Sequence, residues 1–109
     1  MNKFEKFGIS ESIVRAITDL GFVKPTPIQE QSLPVLLKGD RDFIGLAQTG
    51  TGKTAAFGLP LLQLLDFTSK ITQALILAPT RELCVQIAKD LDNYASFKML
   101  VYKRMDFLI

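Results

Sequence analysis

Apolar residues fall along this chain in two rhythms. The first is helical. Ile13, Val14, Ile17 and Leu20 recur at intervals of three and four residues, which predicts one apolar face on a helix from Ser10 to Leu20. Ser10 is the expected N-cap, Gly21 the expected stop, and Ile9 with Val14 the expected hydrophobic staple. Leu83, Ile87, Leu91 and Tyr94 predict a second amphipathic helix over about Arg81 to Ser96. The other rhythm is a short unbroken apolar run. DFIGLA, residues 42–47, and ALILA, residues 74–78, each read as a buried strand, and Met99 to Tyr102 as a third.

Proline and glycine punctuate the rest. In GFVKPTPIQ, Gly21 to Gln29, Pro25 and Pro27 keep the chain extended on approach. Thr26 then suits an N-cap with Pro27 in the first helical position. That helix is expected to run toward Leu37, interrupted or kinked at Pro34, and to end at Gly39. Another begins near Lys53 and runs through TAAFGLPLLQLL, with a disturbance expected at Gly58 and Pro60. Strands alternating with helices predict a parallel sheet of α/β type. Phe43, Phe57 and Phe67 are expected in the core or at its margin.

Composition narrows the chemistry. The chain has 109 residues, room for one small domain, with 48% hydrophobic and 22% charged residues. Histidine is absent, which removes His-based triads, imidazole-bound zinc and His general bases. Cys84 is the single cysteine, so no internal disulfide forms, and its expected role is helix packing. A net charge of +2 is compatible with nucleic acid without implying it. No apolar run is long enough to span a bilayer and the start lacks a signal-peptide core, so a cytoplasmic location without membrane contact is expected.

AQTGTGKT, Ala47 to Thr54, carries the clearest chemistry. It fits a triphosphate-binding loop with Ala47 in place of the usual first glycine. Such a loop turns its backbone N–H groups inward onto phosphate oxygens, and Gly50 and Gly52 allow both the dihedrals and the close approach. The following helix adds the positive end of its dipole. Lys53 would reach the β- and γ-phosphates, and the Thr54 hydroxyl would hold Mg²⁺. An apolar run before the loop and a helix-forming run after it supply the expected context.

Gln29 has two readings. In Thr26-Pro27-Ile28-Gln29 it closes a capping box at the helix start. Alternatively its amide, both donor and acceptor, matches the N6 and N7 edge of adenine and would select ATP over GTP. Arg81 and Glu82 by themselves read as exposed charges at a helix start.

Three stretches together resemble the DEAD-box family of ATP-dependent RNA helicases. GFVKPTPIQ, with Phe4 seventeen residues before Gly21, resembles the Q motif; AQTGTGKT resembles motif I; PTREL, Pro79 to Leu83, resembles motif Ia. Order and spacing agree over about residues 2–96. The resemblance implies an α/β fold: an incomplete RecA-like P-loop NTPase domain with a parallel sheet flanked by helices. It divides residues 1–109 into a Q motif at about 2–30, the P-loop at 47–54, motif Ia at 79–83 and a divergent tail at about 97–109.

Roles follow from the same resemblance. Phe4 would lie against the adenine, with Gln29 on its edge and Phe22, Lys24 and Thr26 in the same segment. Ala47, Gln48, Thr49, Gly50, Thr51, Gly52, Lys53 and Thr54 would hold ATP and Mg²⁺, with Lys53 and Thr54 the catalytic members and Thr54 the metal ligand. Pro79, Thr80 and Arg81 would face the RNA backbone with little base preference. The implied activity is RNA-stimulated ATP hydrolysis coupled to local unwinding; the alternative is an inactive nucleotide- or RNA-binding remnant. A different P-loop ATPase, such as a DNA helicase, fits the Q-motif resemblance less well.

Other family features are absent from the sequence. It has no Asp-Glu-Ala-Asp tetrapeptide, no Ser-Ala-Thr motif, no second RecA-like domain and no glycine after Gly58. In the family's sheet, the acid-bearing strand lies between the loop strand and the ALILA strand. Without it those two strands are expected to lack a shared neighbour, leaving a marginal fold and no turnover by this chain alone. Even a well-formed chain of this size buries only about 65% of its unfolded surface.

Overall fold

The computed structural model describes residues 2–48, 50 and 52–96. A 3₁₀ turn, Lys3–Phe7, leads into four helices: α1 (Glu11–Asp19), α2 (Pro27–Leu36), α3 (Lys53–Leu64) and α4 (Arg81–Tyr94).

Local signals set the first half. Ser10 is the N-cap of α1, but its hydroxyl meets Ser12 Oγ at 3.3 Å rather than a backbone N–H. Gly21, at φ 92°, ends the helix in a Schellman arrangement. Its N–H bonds Thr18 O at 3.0 Å, and Phe22 N–H bonds Ile17 O at 2.9 Å. Ile9 and Val14, the expected staple, are both buried. Leu20 departs from the predicted face and is largely exposed.

The amino-terminal turn is tied down at both ends. Asn2 Oδ1 accepts from Phe4 N–H at 2.9 Å, while its Nδ2 donates to Thr18 Oγ1 at 2.9 Å and to Phe22 O at 2.5 Å. Gly8 closes the turn at φ 81°. Gln63 of α3 then clamps the backbone beyond it. Its Oε1 accepts from Ser10 N–H at 3.0 Å and its Nε2 donates to Gly8 O at 3.3 Å.

The core sits where these elements meet. Phe4, Ile13, Ile17, Leu33, Leu59, Leu62 and Leu91 are fully buried, drawing on the turn and all four helices. Phe57 and Phe67 pack at its margin, as expected, while Phe43 is half-buried elsewhere. In α4, Ile87, Leu91 and Tyr94 face inward, but Leu83 is 41% exposed, so the predicted face holds only beyond the first turn.

One expectation about helix continuity is corrected. Helix α3 runs unbroken through Gly58 and Pro60. Gly58 does not interrupt it because α4 crosses there: a Cβ on Gly58 would come within 2.7 Å of Leu91 Cδ2. Glycine is needed for close helix approach. The expected sheet is not seen in the part of the chain described. Among the described residues there is no strand. Among the described residues, segments 42–47 and 74–78 have no strand partner, and no backbone hydrogen bond joins them to each other. Ile44, Leu46, Leu75 and Leu77 are 91, 93, 81 and 85% exposed, while Ile76 and Ala78 between them pack against the core. Each run is apolar on both sides, but only one side is covered. A strand forms only when a neighbour satisfies its backbone, and no described segment supplies one. The third expected strand, Met99 to Tyr102, and the tail from 97 lie outside the described residues.

Candidate nucleotide site

The glycine-rich stretch leads directly into α3. Gly50 and Gly52 take φ values of 81° and 84°, the left-handed region that side chains disfavour. Thr49 and Thr51 lie outside the described residues. Gly52 is the N-cap of α3 and brings no side chain to its free N–H groups, and no acid sits in the first turn. Those groups are left for an external anion. Lys53 is exposed in the first helical position, with Thr54 half-buried behind it. Ala47 is half-buried and Gln48 exposed on the approach.

Gln29 reaches this loop from α2. Its side chain is buried and makes two hydrogen bonds. Oε1 accepts from Thr26 N–H at 2.9 Å, the glutamine half of a capping box, and Nε2 donates to Gly52 O at 3.1 Å. A primary amide has two N–H donors and two acceptor lone pairs, so one of each remains. Adenine's N7 and N6 require one donor and one acceptor. The capping and adenine readings therefore use different halves of the same group. The hydroxyl of Thr26 is buried with no hydrogen-bond partner. It borders Gly52: a Cβ there would stand 3.1 Å from Thr26 Oγ1 and would collide with Gln29 Nε2.

Around this pair the Q-like segment divides. Phe4 is fully buried, its ring centroid 6.2 Å from that of Phe22. Phe22 is half-buried and meets the Tyr94 ring edge-on at 5.7 Å. Lys24 is exposed. In this structure Phe4 and Phe22 thus serve the packing of the amino-terminal turn on α1 and α4.

Pro79, Thr80 and Arg81 form the exposed entry to α4. Thr80 is its N-cap, with Oγ1 accepting from Leu83 N–H at 3.1 Å. Glu82 lies in the first turn. This helix start is already capped and carries its own negative charge, unlike that of α3.

Sequence reasoning passed over Ser32. It lies one turn beyond Gln29 on α2, is buried, and donates to Ala56 O on α3 at 2.9 Å. Only its place in a polar-apolar pattern was visible in the sequence. Among the described residues no group of three or more His, Cys, Asp or Glu could hold a metal ion, and no helix is long and apolar enough to cross a membrane.

The DEAD/DEAH box helicase family matches residues 26–106. The chain belongs to that family. It is 54% identical over 91 residues to the ATP-dependent RNA helicase CshA of Listeria monocytogenes, covering 84% of this chain and 17% of CshA. It is 53% identical over 92 residues to the ATP-dependent RNA helicase DeaD of Escherichia coli, covering 84% of this chain and 14% of DeaD. This DEAD-box chain thus spans less than a fifth of either relative. Among solved structures, S. cerevisiae Dbp5 bound to RNA and ADP BeF3 superposes with a TM-score of 0.83 at 37% identity, covering 89% of this chain and 25% of Dbp5. A DEAD box protein from Methanococcus jannaschii gives 0.75 at 41% identity, over 79% of this chain and 23% of that one.

Proposed function

We propose that this chain is the ATP-binding amino-terminal portion of a DEAD-box RNA helicase, whose whole activity is RNA-stimulated ATP hydrolysis coupled to unwinding of short duplexes. The observation that carries the reading is the Gln29 to Gly52 hydrogen bond, which joins the base-selecting candidate to the phosphate loop at the uncapped start of α3. In this reading the domain unit is residues 1–109, with the Q motif at about 2–30, the loop at 47–54 and motif Ia at 79–83.

Each residue then has a task. The amides of residues 49–53 and the α3 dipole bind the phosphates, and Lys53 offsets the charge that grows on them during transfer. The Thr54 hydroxyl is the ligand this chain would give to Mg²⁺, which would supply positive charge to offset that of the phosphates. Gln29 offers adenine its unused N–H and lone pair. Arg81 and the exposed backbone of residues 79–80 meet RNA phosphates. Lys24 lies near the base-recognition segment, while Phe4 and Phe22 support it from the core.

The test compares ATP binding and hydrolysis, with and without RNA, by this chain and by Lys53→Ala. We expect binding that the substitution weakens at least tenfold, without turnover, because no residue here matches the acid that orients water. Binding that is indifferent to Lys53 would overturn the nucleotide reading.

A further inference from the structure

Proline 60 leaves a specific vacancy inside α3. In an α-helix the carbonyl of residue i accepts from the N–H of residue i+4. Pro60 has no N–H, so the carbonyl of Ala56 has no partner within its own helix. Ala56 is buried, and water cannot serve that oxygen cheaply. Ser32 Oγ serves it instead, at 2.9 Å from the neighbouring helix. The other acceptor within reach of this hydroxyl, Gln29 O on its own helix, stands at 3.5 Å, so the single hydroxyl proton goes across to α3. The contrast with α2 is informative. Pro34 frees the carbonyl of Glu30 in the same way, but Glu30 lies at the surface.

The geometry points to Ser32 as a positioning residue for the nucleotide site, holding α2 on α3 so that the Gln29 amide stays in register with the phosphate loop. Gln29 and Ser32 are three residues apart and share a face of α2; Gly52, the N-cap of α3, lies one turn before Ala56, whose N–H bonds Gly52 O at 3.1 Å. The Gln29 to Gly52 and Ser32 to Ala56 bonds are therefore two polar ties one helical turn apart. One tie leaves α2 free to pivot or slide; two fix both its rotation and its translation. Apolar packing between the helices is tolerant of small slips, whereas a hydrogen bond is not. This inference rests on the ATP reading of the loop and extends it to a residue outside every motif.

The experiment is a cycle of Ser32→Ala, Pro60→Ala and the double variant in the whole chain, with Ser32→Cys as a near-isosteric weak donor. Pro60→Ala returns an N–H to position 60 and gives Ala56 O its own intrahelical partner. Ser32→Ala alone is expected to lower the thermal midpoint by about 5 °C. It should weaken fluorescent ATP analogue binding about tenfold and GTP analogue binding less, so the ATP preference falls; Ser32→Cys should lie between. In the Pro60→Ala background, adding Ser32→Ala should shift the midpoint by less than half as much. Equal shifts in both backgrounds, or an ATP:GTP preference untouched by Ser32→Ala, would overturn the proposal. Should ATP bind equally to wild type and Lys53→Ala, the nucleotide reading fails and takes the positioning role with it. The thermal cycle then separately decides whether Ser32 replaces the missing N–H.

Discussion

Gly50 and Gly52 differ in what surrounds them, although both take positive φ. Nothing lies within 4 Å of a Cβ built on Gly50, whereas one on Gly52 meets Gln29 and Thr26. Gly50→Ala therefore incurs only the left-handed backbone cost, about 1–2 kcal/mol. Gly52→Ala incurs that cost and also expels the Gln29 amide. Urea unfolding should rank Gly52→Ala as the more destabilising of the two, and only Gly52→Ala should alter adenine preference along with phosphate affinity. Tyr94 gives a second residue-level expectation. Burial first, and the Asp90 carboxylate second, push its phenol from 10.0 up to about 12. Between those values the folded chain keeps a proton that the unfolded chain has lost. Tyr94's contribution is complete below pH 10 and declines as pH rises toward 12. Thermal melts of Tyr94→Phe should lack that share of the alkaline loss. At the opposite extreme, Lys6 and Glu30 pair at 3.3 Å with both side chains more than half exposed, and Lys6→Ala should change stability by under about 0.5 kcal/mol.

Helices were legible in the sequence wherever their signals were local. The Gly21 stop of α1 and the Thr26-Pro27 start of α2 depend on dihedrals and neighbours within a few residues, and both stand where they were expected. Helix α3 was misread because the reasons for its continuity come from elsewhere: Leu91 fits against Gly58, and Ser32 serves the carbonyl that Pro60 strands. The outward turn of Leu83 was equally invisible, since periodicity gives a face but not its extent. In the candidate site, the loop and Gln29 were both readable, yet their hydrogen bond was not, because 23 residues separate its ends. Leu91→Ala tests the α3–α4 contact: removing this buried side chain should cost about 2–5 kcal/mol by urea unfolding, with Gly58→Ala partly refilling the gap.

For the molecule as a whole, the unpaired apolar segments matter most. Two apolar runs with exposed side chains and no ladder partner among the described residues form a template for intermolecular pairing. Light scattering should show this chain self-associating as its concentration rises. Replacing Ile44, Leu46, Leu75 and Leu77 by threonine should suppress association while shifting the thermal midpoint little, because these side chains point away from the core. A chain that stays monomeric at high concentration without those changes would contradict this. The apolar runs themselves were legible in the sequence, but a strand's partner is a property of the rest of the chain, so their pairing was not.

The Gln63 clamp sets an order of events during synthesis. Ser10 leaves the ribosome 53 residues ahead of the glutamine that will hold it. At bacterial or eukaryotic elongation rates that interval is roughly 3 to 10 seconds. Until then the turn at Lys3–Phe7 can dock on α1 and Phe22, but the Gly8–Ser10 backbone must wait, accessible to chaperones and proteases, for the phosphate-loop helix to emerge.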